Sequence, residues 1–576
     1  MKFGKNNENS NNKTQQQRLI MIFKNKHLFW IFALLTAIGF DQLFWERGFG
    51  INFLILAILA TLGGLIPFWL EKISIPWTSY LLLIPVGFFS VMTFIRSEPS
   101  TTALNSMLTI SGLGLFFMTL QNGAWYRYRV RDHIFNWFHL ILNSLIGGIL
   151  FFSKVKNTDT PAKVDAPDNS GMEPGEPDKP KQKLKNKTIL KSLMPYLRGL
   201  LLALPVLAVL AFLLAQADPI FNDRLRNFFS QFQIENLGET LFRGFYILVI
   251  GYILLSTYSF ALLESKKYQV KDDEKSAIKP FLGSIESNMI LGAVNMLFLM
   301  FIILQFTYLF SGGRNISTEG YTYAEYARRG FFELIIVAVI SLVLFYLLSI
   351  ITKREGKNQR RFFSALGLTL VGLVGLILVS AYTRLNLYEL AYGYTRLRTL
   401  AHIFMIWIGL LLISVAFLEI TKNMEKLAII LICFIVGFGI NLNILNIDQF
   451  IVRHNVSRVM AGDHETFETD LDAGYLTTLS HDAVPKLVDF FHDPEISQDL
   501  QNEIGGILAC KAAMNKDQSD LSWVSYHHSR NQAFSLLESL ADELEQYPVT
   551  YDMYTYFVEV NDEIRSCTGY TPEIYD

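Results

Sequence analysis

At 576 residues the chain exceeds one domain, and a mean hydropathy of +0.29, with 51% hydrophobic against 18% charged residues, excludes a soluble enzyme and points to an integral membrane protein. The net charge of −2 conceals a split, because residues 1–446 carry 43 Lys and Arg against 28 Asp and Glu, whereas residues 447–576 carry 7 against 24. A segment at −17 repels nucleic acid and anionic headgroups alike, so no nucleic-acid role is expected.

The first 27 residues are polar, hold six Lys or Arg and one Glu, and lead into an apolar run without a small-residue cleavage site. They are expected to be a cytoplasmic leader to an uncleaved span rather than a signal peptide. A spanning helix needs about 20 apolar residues. Four runs qualify in region 28–120, at 28–45, 51–70, 78–95 and 103–120. Seven more fall in region 192–446, at 193–217, 241–263, 286–310, 332–352, 362–382, 401–420 and 427–446. Pro85 and Pro205 inside these runs predict kinks. Gly367, Gly372, Gly375, Gly437 and Gly439 predict close helix approach and nothing more.

Between the two groups, region 121–153 includes "HIFNWFHLILNSLIGGILFF", where His133, Asn136, His139 and Asn143 recur at helical spacing. That polar stripe predicts an amphipathic helix lying in the interface. Residues 154–191, with five Pro and nine Lys, read as a disordered cytoplasmic linker. Ser480 is a candidate helix cap in the acidic tail, and Pro548 a helix stop. Region 447–576 is therefore expected to be a small soluble helical domain. The fold class is all-α: a polytopic membrane protein of about 11 spans, with a count of 12 as the alternative.

Lysine sets the orientation. From the linker onward, connections 264–284 and 353–361 hold five Lys and five Lys or Arg, whereas 218–240, 312–330 and 382–400 contain arginine and no lysine. Eleven spans with a flat 133–152 segment put every lysine-rich loop and the N-terminus in the cytoplasm, and the acidic tail outside the inner membrane. Twelve spans leave the tail inside. Of three cysteines, Cys433 is in an apolar run and only Cys510 and Cys567 can pair, provided the tail is exported.

Several motifs come in a fixed order: "QADPIF" at 216–221, "SGGRN" at 311–315, "YAEYARRGFFEL" at 323–334, "LYELAYGYTRLR" at 387–398, "NIDQFIVRHNVSR" at 446–458 and "LDAGYLTTLSHDAVPKL" at 471–487. This run resembles a bacterial multi-pass membrane protein family of unknown function, the domain-of-unknown-function 4173 type, related to the 4153 type, over roughly residues 190–490. The resemblance implies a polytopic inner-membrane protein and brings no catalytic residues.

Glu325, Arg328 and Arg329 stand at helical i+3 and i+4 spacing, followed by Glu333, and Arg384, Glu389, Arg396 and Arg398 are interleaved with tyrosines that include Tyr392. The plainer reading is that these groups cap helix ends, pair together and form an aromatic belt. The functional reading is an outward pocket in which Glu325, Arg328, Arg329, Arg384, Glu389, Tyr392, Arg396 and Arg398 hold an anionic ligand. Asp218 reads as a helix cap, and Asp41 equally well as one half of an interfacial pair with Arg47 or as part of a proton relay. There is no G-x-x-x-x-G-K-[ST], H-E-x-x-H or C-x-x-C pattern. His402 as a general base, or Cys510, His527, His528 and Cys567 as a zinc set, are weaker readings than packing and a disulfide. No catalytic residue, metal or cofactor is expected.

The expected function is a non-enzymatic envelope or signalling component that recognises an envelope protein or anionic lipid at its outer face, with the lipid bilayer as its constant partner. The alternatives are a secondary transporter of a small anionic solute, although the four-plus-seven arrangement lacks paired halves, and a membrane transferase acting on lipid-linked substrates.

Overall fold

A computed structural model describes residues 26–158, scattered positions between 203 and 224, and residues 237–266, 280–309, 331–461, 471–515, 522–552, 555–561 and 563–567. Nearly all of the leader, most of the linker, the 193–217 span for the most part, and Glu325, Arg328 and Arg329 lie outside the described residues. The chain forms two compact units, one of residues 1–41 and 144–256, the other of residues 42–143 and 257–576.

Among the described residues nine helices are long and apolar enough to cross a membrane. The protein is an all-α multi-pass membrane protein. Its helices are apolar on their outward faces as well, which is what a lipid solvent selects: Phe332–Ile351 has a mean hydropathy of 3.1 although only 33% of it is buried.

In the first unit, α1 (Lys26–Phe44) contributes Asp41 and α7 (Leu237–Leu263) contributes Arg243 and Tyr246. Arg243 donates Nε to Asp41 Oδ1 at 2.9 Å and Nη2 to Oδ2 at 2.6 Å, and the Tyr246 hydroxyl donates to the same carboxylate. The expected Asp41–Arg47 pair is therefore replaced, and Arg47 instead donates to the Gln42 carbonyl. A long-range bidentate fork from a neighbouring helix outcompetes a partner six residues along the chain. Asp218 accepts from the amide of Ile220 at 2.8 Å, the expected cap.

The second unit holds α2 (Ile51–Leu70), the short α3 (Trp77–Tyr80), α4 (Leu83–Ile95) and α5 (Pro99–Met118). The helix breaks just ahead of Pro85, where the proline lacks an amide to continue the ladder. α6 runs Val130–Thr158, taking the first linker residues into the helix. The bundle continues with α8 (Ser284–Leu309), α9 (Phe331–Ile351), α10 (Lys357–Tyr392), α11 (Arg396–Thr421) and α12 (Leu427–Leu445). Close approach at glycine is real at three of the five expected positions. A Cβ at Gly367 would meet the Phe345 ring at 2.2 Å, at Gly437 the Trp407 ring at 2.3 Å and at Gly439 Leu108 at 2.7 Å, whereas Gly372 and Gly375 meet nothing. Between α5 and α12, Asn105 and Asn443 exchange amide hydrogen bonds of 2.9 and 2.7 Å, satisfying two polar side chains that the bundle buries.

The acidic tail starts with α13 (Ile447–Ala461) and continues through α14 (Ala473–Thr477), α15 (Val484–Phe491), α16 (Gln498–Asn515), α17 (His528–Ser539) and α18 (Ala541–Leu544). Ser480 caps a short turn through Asp482 N. After Pro548 the chain departs from the all-helical expectation for the tail and forms an antiparallel sheet in the order β1 (Val549–Asp552), β2 (Thr555–Val560), β3 (Glu563–Ser566). Val558 and Val560 face α16, where Gly506 makes room for Val560. The alternation of β-branched and aromatic residues in "VTYDMYTYFVEV" is the signal for these strands. Cys510 on α16 is disulfide-bonded to Cys567 just past β3, which ties the sheet to the helix and removes both sulfurs from any zinc set.

One apolar core runs without interruption from Ile403 on α11 and Leu442 on α12, through Ile447, Ile451 and Val452 on α13, to Leu487, Ile504, Leu537 and Val560 in the tail. The tail is thus packed on the end of the bundle from which α5 and α11 start.

Candidate functional site

Tyr-Thr-Arg-Leu occurs twice, at 382–385 and 394–397, across the end of α10 and the start of α11, so the expected outer connection 382–400 is helical except at Gly393–Thr395. Gly393 makes this turn with φ +74° and ψ 176°, a conformation in which an added Cβ would meet Asn455 Oδ1 at 2.8 Å. Asn455 on α13 clamps the following residue, accepting from Tyr394 N at 2.7 Å and donating to Tyr394 O at 3.0 Å.

Arg396 is the first residue of α11. Its guanidinium grips Asp448 with both limbs, Nε to Oδ1 at 2.7 Å and Nη2 to Oδ2 at 2.5 Å, and lies 3.7 Å from Glu98. Its amide donates to the Tyr475 hydroxyl at 2.8 Å. Asp448 is fully buried and accepts a further bond from Ser480 N at 2.7 Å, so the carboxylate is saturated by protein. Arg398 donates to the carbonyls of Gly393 (2.6 Å) and Tyr392 (3.2 Å) and stacks 4.0 Å over the Tyr388 ring. Tyr392 packs against Tyr388 with ring centroids 5.0 Å apart.

A second carboxylate repeats the device. Asp482 accepts from the amides of Ser97 (2.7 Å) and Glu98 (2.9 Å) and from the Ser529 hydroxyl (2.7 Å), with Arg96 4.0 Å away. Glu98 caps α5 through Ser100 N and Thr101 N. His527 touches the Arg96 carbonyl at 3.1 Å, and burial pushes its imidazole down to about 4. Deeper in the tail, Lys511 donates to the carbonyls of Thr477 (2.9 Å) and Leu479 (2.6 Å), and burial pushes its ammonium down to about 8.

Glu389 takes a separate place. His402 Nδ1 lies 2.8 Å from Glu389 Oε2, at ion-pair distance but without hydrogen-bond alignment, and the Tyr382 ring stacks 4.4 Å from the imidazole. Among the described residues Glu389 Oε1, His402 Nε2 and Thr399 Oγ1 are buried with no hydrogen-bond partner. A fully buried carboxylate oxygen without a donor carries a desolvation penalty that a bound donor would relieve.

Of the eight residues expected to share a ligand, then, Arg396 and Arg398 are engaged by protein groups, Glu389 meets His402, and Tyr392 packs on Tyr388. Arg384 sits on α10 one residue ahead of the fully buried Leu385. The partners Glu98, Asp448, Tyr475 and Asp482 escaped the sequence reading, although the last three lie inside the motifs quoted for the resemblance. For Asp448 and Asp482 the available signal was an acidic residue inside such a motif.

Residues 83–490 match the family described as domain of unknown function DUF4153, and the chain belongs to that family. The matched region begins at α4, well ahead of the motifs, and closes within α15. No curated protein and no solved structure matches the chain.

Proposed function

We propose that this DUF4153-family protein is a non-enzymatic component of the bacterial inner membrane that carries its C-terminal domain on the outer side as a recognition module locked to the bundle. The observation that carries the reading is the Arg396–Asp448 fork: the strongest guanidinium grip at this end of the bundle holds the domain itself, so the domain transmits what it binds to α11. The outward placement draws support from the lysine-free connections and from the Cys510–Cys567 bond, which belongs to an oxidising compartment. Kinship with the 4173 type rests on the motif order and is part of the same proposal.

The test is a photocrosslinking residue in place of Ile564, a strand residue 74% exposed, combined with a reporter fused after Asp576. The expected results are an extracytoplasmic reporter and a discrete protein or lipid adduct that weakens in the Arg396→Gln variant. A cytosolic reporter, or no adduct at any exposed tail position, overturns the proposal.

One observation favours a second reading, secondary transport of a small anionic solute: Glu389 and His402 meet inside the bundle with polar atoms left without hydrogen-bond partners, as ionisable groups on a solute pathway do. On that reading Glu389→Gln abolishes solute uptake at unchanged membrane abundance; on the recognition reading it leaves the tail adduct intact.

A further inference from the structure

At the end of the bundle opposite the acidic tail, a cavity of about 420 Å³ opens between the start of α6, the end of α9, the start of α10 and the α11–α12 turn. Five cationic side chains line it, Arg129, Arg131, Arg354, Arg360 and Lys422, against two carboxylates, Glu419 and Glu425. The carboxylates are already committed. Glu419 is buried, accepts from the Ser364 hydroxyl at 2.5 Å and lies 3.8 Å from Arg354, while Glu425 forms a half-exposed pair with Arg129 at 3.1 Å. Arg354 is further fixed by Ser349 Oγ at 2.8 Å and by the Phe363 ring 4.4 Å beneath it. The Arg360 guanidinium and the Lys422 ammonium have no partner among the described residues. Lys422 is held at φ +59° at the turn that closes the cavity.

We infer that this cavity binds the phosphate of an anionic phospholipid headgroup. Arginine forks, a fixed Arg354 and two uncommitted cations match a phosphate diester, and the volume is within the range of small-ligand sites, larger than a lone phosphate needs. The wall argues for a lipid rather than a soluble ion. α9, which supplies Tyr346, Ser349 and Ile350, presents Ile340, Val343 and Leu347 outward, at 60%, 51% and 50% exposure, as a surface along which acyl chains can lie. Basic pockets at the ends of spanning helices on the lysine-rich side are where such headgroups bind. The site is distinct from the outer-face recognition proposed above and shares no residue with it.

The test uses the full chain in phosphatidylcholine nanodiscs, with and without phosphatidylglycerol, and in detergent with inorganic phosphate. Native mass spectrometry and thermal melting are the readouts. The expected result is phosphatidylglycerol that is retained through delipidation and raises the melting temperature, with at least a tenfold loss of apparent affinity in the Arg360→Gln/Lys422→Gln double variant. Lys266→Gln/Lys357→Gln, which removes two exposed cations outside the cavity, leaves binding unchanged. Equal loss in both variants, or no difference between the lipids, overturns the assignment. Stabilisation by inorganic phosphate without retained lipid overturns the lipid source and leaves a soluble phosphate as the occupant.

Discussion

Arg396 and Asp448 show how a charge at a membrane surface is kept without a ligand. Removing one partner strands the other, and for a buried pair the loss is about 3 kcal/mol or more. Asp448→Asn is therefore expected to lower the melting temperature of the detergent-solubilised protein and to make the tail sensitive to limited proteolysis. An unchanged digestion pattern would show that the fork does not hold the domain. His527 gives the tail a pH dependence. Its imidazole titrates near 6.5 in the unfolded chain and at about 4 when folded, because burial disfavours the charged form. Both states are neutral above pH 6.5, so the penalty is absent there; as pH falls from 6.5 to about 4 the unfolded state takes up the proton first and stability declines. The full effect is roughly 3 kcal/mol. Thermal melts at pH 7.5 and 5 should show the decline, and His527→Gln should reduce it. At this scale the sequence is half legible: Arg396 and Arg398 stand out as arginines at a span end, but a partner 52 positions away leaves no periodic trace.

The α10–α11 corner depends on Gly393. Its backbone angles belong to a region occupied almost only by glycine, where another residue costs about 1–3 kcal/mol. Gly393→Ala is expected to lower the melting temperature and to loosen the Tyr394–Asn455 clamp, read as faster amide exchange at Tyr394; unaltered exchange would remove the strain argument. Elements were legible where one physical rule dominated. The spans announced themselves because lipid demands long apolar helices, and the extension of α10 to Tyr392 did not, because polar residues such as Arg384 and Glu389 mimic a loop. The β1–β3 sheet was hidden for a different reason. Its strands are four to six residues long and sit in an acidic segment, so the alternation of β-branched and aromatic residues is brief, and their apolar face is completed only by α16.

For the whole molecule, the segregation of lysine was readable at once and gives the proposed sidedness. The long-range packing of the tail was not, since the core that joins it to α11 and α12 uses residues that any apolar helix contains. The disulfide closes a separation of 57 residues, for which the chain-entropy estimate is about 4 kcal/mol. Cys510→Ser is thus expected to destabilise the tail by a few kcal/mol and to release the sheet, measured as an early second transition in the melt; a single unshifted transition would contradict it. The continuity of that core also constrains biogenesis. Arg396 leaves the ribosome before Asp448, and Arg96 long before Asp482, so the nascent bundle holds raw charge at one end until later codons are read. A chaperone or protease that samples unfinished membrane proteins would find its recognition feature there, and maturation would erase it.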